Sequence, residues 1–355
     1  MLCRFVIALA LASLPPLATS ALALDANAIN TAEVGSKPGK KVNGPDPLLI
    51  KAQILLDRAR FSPGEIDGRA GGNFQKALAA FKVAQGLPDN SQLDANTWSK
   101  LAATSSDPAI KQYTITTDDE KGPFLKKRPA KMEDMKDLDS MGYTGPTEEL
   151  AERFHVSEDV LKGLNPGRPL DKAGTVILVP NVGAKPADEK ATKIEVDKVK
   201  KTVRALGKSG QLLAFFPASV GSEEKPAPSG TFKVTDIERN PVYRYDPKFA
   251  FKGVSSKKPF EIKPGPNNPV GLVWIGLSAP SYGIHGTPDP SKVSKSYSHG
   301  CVRLTNWDAL ELAGMVAKGA QVVFLDGGDA TPPVASATDQ SKDQSANKPA
   351  SGRRR

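Results

Sequence analysis

Residues 284–306 read IHGTPDPSKVSKSYSHGCVRLTN and hold two of the chain's three histidines and one of its two cysteines. His285 and Cys301 lie 16 positions apart. A free cysteine with a pKa of about 8.5 is only slightly ionised at neutral pH, so it needs a nearby base before it attacks a carbonyl. An imidazole can take the thiol proton and return it to a leaving amine. The stretch therefore predicts a cysteine nucleophile, Cys301, and a histidine base, His285.

The residues around this pair fit acyl transfer. Gly300 allows the backbone to turn sharply and to present consecutive N–H groups to a developing oxyanion. Arg303 carries a planar fork of donors suited to a substrate carboxylate. The imidazole also needs an orienting group, and a backbone carbonyl of the Gly286 and Thr287 turn would serve as well as a carboxylate.

Four strings together resemble the L,D-transpeptidase catalytic domain, also called the YkuD domain, over about residues 190–326. They are PSGTF (228–232), GPNNPVG (265–271), HGT (285–287) and SHGCVR (298–303). Runs such as LLAFFPASV and VGLVWIGL, broken by Gly and Pro, independently indicate strands in this region, and one helix is predicted from about Asn306 to Ala317. A mostly-β catalytic domain is expected.

The resemblance also implies roles for the site residues. It implies Cys301 as the nucleophile and His285 as the base, with Arg303 as a substrate contact. The residues that it implies shape the site or its oxyanion loop are Gly286, Ser298, His299 and Gly300. Several members of the family have asparagine two residues after the cysteine, where this chain has Arg303.

By the same resemblance, Cys301 would attack the third residue of a peptidoglycan tetrapeptide stem and expel the terminal D-alanine. An amine of a second stem would resolve the thioester into a 3→3 cross-link. Water, a D-amino acid or a lipoprotein lysine are the other acceptors that the family implies, and the sequence does not choose among them. No cofactor and no metal is expected, and carbapenems would acylate the same sulfur.

Two earlier segments resemble wall-binding modules. Apolar residues at helical spacing over 46–104, with an Asp67–Gly68 turn, resemble the peptidoglycan-binding domain type 1. Residues 143–183 resemble a LysM module in two helices and a final GTVILVP strand, although MGYTGPTEE lacks the usual first strand. His155 lies in this second segment and is interpreted as a structural residue.

The remaining segments complete a predicted multidomain α+β chain. Composition predicts a signal peptide at 1–23, a linker at 24–45, a connector at 105–142 and a disordered tail at 327–355. Removal of the signal peptide takes Cys3 with it and leaves Cys301 without a disulfide partner. Because a signal peptide is predicted and no later stretch is apolar enough to cross a membrane, a periplasmic or cell-wall protein without a membrane span in its mature form is expected. The formal net charge of +9 is spread along the chain without a nucleic-acid motif, so nucleic acid is not an expected partner.

Three alternatives stay open at this stage. His285, His299 and Cys301 are acceptable zinc ligands, although they lack a nearby carboxylate base. A non-catalytic wall-binding protein would keep the two accessory segments but would not explain the spacing of histidine and cysteine. An L,D-carboxypeptidase or endopeptidase would use the same fold and site, with hydrolysis as the outcome.

Overall fold

The computed structural model describes residues 23–35, 44–183, 188–223, 225–249, 253–298 and 300–327. Helices dominate its N-terminal part and a large sheet dominates its C-terminal part, which confirms the predicted α+β class. The predicted signal peptide, apart from residue 23, and the predicted tail beyond residue 327 lie outside the described residues, as does His299. Within the described ranges, no helix is long and apolar enough to cross a membrane.

The first part of the fold is a helical module. Its helices are α1 (Ala26–Asn30), α2 (Pro47–Arg58), α3 (Gly72–Ala84) and α4 (Ala95–Ala102). Asp46 caps α2 by accepting the N–H groups of Leu48 and Leu49, and proline occupies the first helical position, where its missing N–H costs nothing. Helix α1 lies within the stretch 24–45 predicted as a linker, and it buries Ile29 completely in an apolar core shared with the next module.

The second module consists of two strands and several helices. They are β1 (Ile110–Thr114), α5 (Thr117–Lys121), α6 (Met132–Met135), α7 (Pro146–Arg153), α8 (Glu158–Leu164) and β2 (Val176–Pro180). Strands β1 and β2 pair in antiparallel register. Strand β1, which pairs with β2, lies inside the predicted connector. Residues 115–145 are an insertion between this strand and α7.

The third part is the β-rich domain. Its elements are β3 (Ala191–Asp197), β4 (Thr202–Leu206), β5 (Leu212–Pro217), β6 (Ser219–Val220), β7 (Gly230–Arg239), β8 (Tyr243–Tyr245), β9 (Phe260–Ile262), β10 (Val273–Leu277), β11 (Gly283–His285), β12 (Val302–Arg303), α9 (Asn306–Met315) and β13 (Val316–Leu325). Nine of these strands form one described sheet in the order β5-β4-β3-β13-β7-β10-β11-β12-β6, and β8 pairs with β9 as a separate hairpin.

Helix α9 supports the part of the sheet that carries the candidate site. Buried Thr305 caps it by accepting the N–H of Asp308 at 3.1 Å. Leu312 and Ala309 are fully buried in the same apolar core as Ile275 of β10 and Ile284 of β11. Because these side chains of α9, β10 and β11 are packed in one core, the positions of β10 and β11 are fixed. Residues at the ends of the two strands are therefore held rigidly.

The helical module and the sheet share a core. Phe215 of β5 is buried among the aromatic residues of the helical module rather than in the core of its own domain. The backbone of Phe215 exchanges hydrogen bonds with two residues that follow α2, accepting from the N–H of Ser62 at 2.9 Å and donating to the carbonyl of Arg60 at 2.8 Å. The helical module is thus attached to the outer strand of the sheet by main-chain pairing.

Candidate active site

Two short parallel strands bring the predicted catalytic residues together. In the pairing of β11 with β12, His285 lies opposite Arg303 and Ile284 opposite Val302. Side chains alternate between faces along a strand, so Cys301, one residue before β12, projects on the same side as Arg303 and His285. Cys301 and His285 are therefore diagonal neighbours on one face, although 15 residues separate them in the chain.

This face forms the floor of a cavity of about 670 Å³. Cys301, His285 and Arg303 all line it, together with Tyr243 and Trp274 from neighbouring strands. The cavity is large enough to take a peptide-sized group, since small-molecule sites fall in the range of about 300–1,000 Å³.

The imidazole of His285 is buried and oriented by its surroundings. Its Nδ1 atom lies 2.6 Å from the carbonyl oxygen of Gly286. That carbonyl can only accept, so Nδ1 carries the proton and Nε2 is the basic nitrogen. The indole of Trp274 stacks on the ring with a centroid distance of 5.7 Å and an interplanar angle of 21°. Burial, followed by the charge of Arg303, lowers the pKa of His285 to about 3, which keeps the imidazole neutral.

The Gly286 turn that orients His285 is itself fixed by close contacts. A Cβ atom at Gly286 would lie 2.3 Å from the Oδ1 atom of Asn306, so no larger residue fits without a shift. Asn306 Oδ1 also accepts the N–H of Leu272 at 3.1 Å, and its Nδ2 donates to Glu152 at 2.9 Å. Asn306 therefore links the Gly286 turn to Leu272, the residue before β10, and to Glu152 of the second module.

The thiol of Cys301 is held at the start of β12. Its Sγ atom donates to the carbonyl of Ser281 at 3.7 Å, and the N–H of Gly283 donates to the sulfur. Burial raises the pKa of the Cys301 thiol, while the Gly283 N–H and the charges of Arg303 and Lys225 act in the opposite direction. Ser281 adopts a left-handed backbone conformation with φ of 67°, a strained geometry that is commonly found at functional sites.

Ser298 and Gly300, predicted to shape the site, lie directly before the nucleophile. Ser298 is buried, its hydroxyl donates to the carbonyl of Cys301, and its own N–H donates to Gly221 at 3.1 Å. Gly300 has φ of 104°, a conformation that side chains disfavour, and a Cβ there would lie 3.0 Å from the ring of Tyr282. His299, predicted to have the same role, lies outside the described residues.

Arg303 places a cation beside the imidazole and the thiol. Its Nε atom is buried and has no hydrogen-bond partner among the described residues. A buried donor without a partner is costly, so this atom favours an acceptor that enters the cavity. A carboxylate matches the geometry of a guanidinium group best.

Sequence reasoning missed several residues of this site. Trp274 was read only as part of an apolar strand, and Asn306 only as the start of a helix. Tyr282 and Ser281 belong to a turn with no motif of its own, and Lys225 lies in a loop far upstream. None of these residues carries a usable sequence signal: Trp274 can stack on His285 because β10 places it directly opposite that ring, and only the structure shows this register. Among the described residues, no group of three His, Cys, Asp or Glu side chains is arranged to hold a metal ion.

Comparison with known proteins shows the family to which this chain belongs. Residues 191–324 match the family described as the L,D-transpeptidase catalytic domain, and residues 45–101 match a peptidoglycan binding domain. A relative from Bacillus licheniformis, which carries the name L,D-transpeptidase YkuD, is 30% identical over 177 residues, covering 90% of that protein and 49% of this chain. The chain belongs to the L,D-transpeptidase family, an acyltransferase class of enzyme.

A second relative and a solved structure give further similarities. L,D-transpeptidase YbiS of Escherichia coli is 29% identical over 192 residues, which cover 61% of its length and 52% of this chain. The crystal structure of L,D-transpeptidase 3 from Mycobacterium tuberculosis aligns with a TM-score of 0.33 and 16% identity, covering 43% of this chain and 76% of that one.

Proposed function

We propose that the cavity transfers an acyl group from a peptidoglycan stem peptide to an amine acceptor through a thioester on Cys301. The observation that carries the proposal is the shared face of β11 and β12. It presents a thiol and an imidazole to one cavity, with the Nδ1 atom of that imidazole engaged by the Gly286 carbonyl and its Nε2 atom left as the base.

In the first half-reaction, Nε2 of His285 takes the thiol proton and the sulfur attacks the carbonyl carbon of the third stem residue. The C–N bond to the terminal D-alanine then breaks. The imidazolium gives its proton to the departing amine, and the acyl group stays on the sulfur as a thioester. In the second half-reaction, an amine of another stem attacks the thioester carbonyl and gives a proton to Nε2 of His285. The C–S bond then breaks, and the imidazolium returns that proton to the sulfur, which restores the thiol.

The electrostatics support a pair that is neutral before substrate binds. Burial raises the pKa of Cys301 and lowers that of His285, so both effects oppose a standing thiolate–imidazolium pair. Arg303 and Lys225 still favour negative charge at the sulfur. Charge would therefore develop only as the sulfur attacks, and the two cations would stabilise it together with backbone N–H groups near Gly300.

The accessory modules support a proposal about where the reaction takes place. A peptidoglycan binding domain beside a transpeptidase domain supports a cell-wall polymer as the substrate. We propose that the protein is exported by its N-terminal signal peptide and acts on peptidoglycan in the periplasm. The same proposal includes a LysM-like segment at residues 143–183 and a lipoprotein lysine among the acceptors.

Hydrolysis is the second candidate, because water can resolve the same thioester. It is favoured by the openness of the site toward solvent at the partly exposed Cys301. It differs from transfer only in product, since a carboxypeptidase releases free tripeptide stems whereas a transpeptidase yields 3→3 linked dimers.

Incubation of the purified protein with disaccharide-tetrapeptide muropeptides, followed by mass spectrometry, tests the proposal. We expect release of D-alanine, dimers linked through their third residues and a covalent enzyme adduct of the mass of the acyl stem. Cys301→Ala is the matched variant and should yield none of these products. Undiminished D-alanine release by Cys301→Ala would contradict the mechanism, and tripeptide monomers alone would assign the enzyme to hydrolysis.

A further inference from the structure

The insertion in the second module reaches the cavity of another domain. We call residues 122–142 the bridging segment; it lies between α5 and α7 and contains α6. The sequence predicts these residues to be part of a connector. In the structure they lie along the β-rich domain, and Met132 of α6 lines the same cavity as Cys301 and His285.

The first part of the bridging segment is anchored to the loop that follows His285. Arg128 donates to the carbonyl of Pro288 at 3.0 Å and forms an ion pair with Asp289 at 2.7 Å. The same guanidinium donates to the side chain of Asn267 at 3.2 Å. Three acceptors in the β-rich domain therefore hold one side chain of the insertion, and two of them lie within four residues of the catalytic base.

A second anchor lies next to Met132. The carboxylate of Glu133 accepts the backbone N–H groups of Ser255 and Ser256, the latter at 3.2 Å, in the connection between β8 and β9. Val254, the residue before them, lines the cavity. The bridging segment is thus bonded to both structures that frame the cavity, the loop after β11 and the β8–β9 connection.

The end of the segment is fixed by main-chain bonds. Met141 is fully buried, its N–H donates to Pro264 at 2.8 Å and its carbonyl accepts the N–H of Asn267 at 2.9 Å. A Cβ atom at Gly265 would lie 2.2 Å from that carbonyl, so the two backbones are in close contact. A segment held at its beginning, middle and end has little freedom to leave the cavity.

We propose that the bridging segment is a wall of the acyl-transfer cavity and that Met132 is a specificity-determining residue for the stem peptide. Glu133 and Arg128 are positioning residues that hold Met132 in place. Met132 joins Val242 and Val254 as an apolar part of a lining that otherwise includes charged groups. A flexible, polarisable thioether there contacts the aliphatic portion of a bound stem. The proposal rests on the proposed function for the identity of that substrate.

The rate at which reagents of different size alkylate Cys301 tests whether the bridging segment is a wall of the cavity, and this measurement does not require enzymatic turnover. Cys301 is alkylated with iodoacetamide, which is small, and with fluorescein-5-maleimide, which is bulky, and the ratio of the two rate constants is measured. For Met132→Ala and Glu133→Ala we expect the bulky reagent to react about tenfold faster, with iodoacetamide unchanged, because side-chain bulk in a pocket discriminates by this order.

Two neighbours in the same helix are matched controls. Met135→Ala removes the same side chain from a residue that does not line the cavity, and Asp134→Ala removes an exposed carboxylate. Both should keep the wild-type ratio. A wild-type ratio in Met132→Ala, or an equal rise in Met135→Ala, would overturn the proposal.

Kinetics with tetrapeptide muropeptides test specificity. Met132→Ala should raise the KM for the stem about tenfold and leave kcat unchanged, because a contact made equally in the ground and transition states is lost. An unchanged KM would refute the role of Met132. If the wild-type protein does not turn over, the proposed function fails, while the alkylation ratio still decides whether the wall exists.

Discussion

His285 and His155 have similar surroundings but opposite electrostatics. The ring of His285 is buried and that of His155 is partly buried, and each stacks on a tryptophan, His285 on Trp274 and His155 on Trp307, the latter at a centroid distance of 5.1 Å. The Nδ1 atom of His285 faces the Gly286 carbonyl, whereas that of His155 lies 2.8 Å from a carboxylate oxygen of Asp57.

The charged neighbours then decide the protonation of each ring. Burial alone would lower the pKa of His155, but the carboxylates of Asp57, Asp308 and Glu311 outweigh it and raise that pKa. At His285 the charge of the cation Arg303 acts on the pKa in the same direction as burial and lowers it. Two similar rings thus differ: one is a neutral imidazole that lines a cavity, and the other has a raised pKa among carboxylates at the junction of three modules.

The largest expected effect separates the two rings by activity. His285→Ala should lower kcat by about 10³-fold, because the loss of a general base removes a factor of about 10²–10⁴. His155→Ala should retain wild-type kcat per titratable thiol of Cys301. D-alanine release measures both variants. Equal losses in the two variants would remove the distinction between them.

The two substitutions should have the reverse order of effect on stability, with the larger loss for His155→Ala. His155→Ala leaves the carboxylate of Asp57 buried without its partner, so we expect a loss of about 3 kcal/mol in the free energy of unfolding. His285→Ala should cost less, because its loss leaves no buried charge unpaired. The midpoint of denaturant unfolding checks this prediction, and a larger shift for His285→Ala would contradict it.

The stacking partner of His285 has a smaller role. Trp274→Leu should lower kcat about tenfold with little change in KM, because the imidazole loses the face that fixes its orientation while the cavity keeps an apolar wall. Trp274→Phe keeps an aromatic face and should retain most of the activity. Steady-state kinetics with muropeptides distinguish the two, and equal activity of both variants would show that stacking is irrelevant.

A further comparison concerns the pH dependence of stability at the His155 junction. Burial raises the pKa of Glu152 from its ordinary value of 4.5 to about 8, so the folded state keeps a proton that the unfolded state releases. Stability therefore falls as pH rises from about 4.5 to about 8. The raised pKa of His155 acts in the same direction, since its contribution is complete below the unfolded pKa and is lost as pH rises through the folded one.

Glu152→Gln isolates this contribution, because it keeps an acceptor for Asn306 and removes the ionisable group. Its unfolding temperature should depend less on pH between pH 5 and pH 8 than that of the wild type. Exposed Glu158→Gln, on α8, is the matched control and should leave the slope unchanged. If the unfolding temperature of Glu152→Gln changes with pH as that of the wild type does, Glu152 is not the source of the pH dependence.

The sequence predicted the parts of the molecule that local chemistry determines. The spacing of His285 and Cys301 indicated a shared site, and the fold achieves it by placing both at the ends of adjacent parallel strands. The apolar alternation of β3, β4 and β7 was visible because one or both faces of each strand are buried. The α+β class followed from such runs together with the helical spacing of the N-terminal module.

Long-range contacts were beyond the reach of sequence patterns. Met132 approaches the cavity from an insertion that reads as polar connector, and β1 pairs with a strand more than 60 residues later. Trp274 has the same pattern as any core residue of a strand. In each case the signal is the identity of a neighbour that is distant in the chain, which composition and periodicity do not record.

The main-chain pairing of Phe215 with residues 60–62 has a consequence for any attempt to dissect the protein. An edge strand with free N–H and C=O groups readily pairs with another chain. Here residues 60–62 pair with part of the edge strand β5, and the helical module covers the phenyl ring of Phe215. Excision of the N-terminal helices would uncover both at once. The isolated β-rich domain would then self-associate, so the helical module protects the solubility of the catalytic half in addition to any task on the wall.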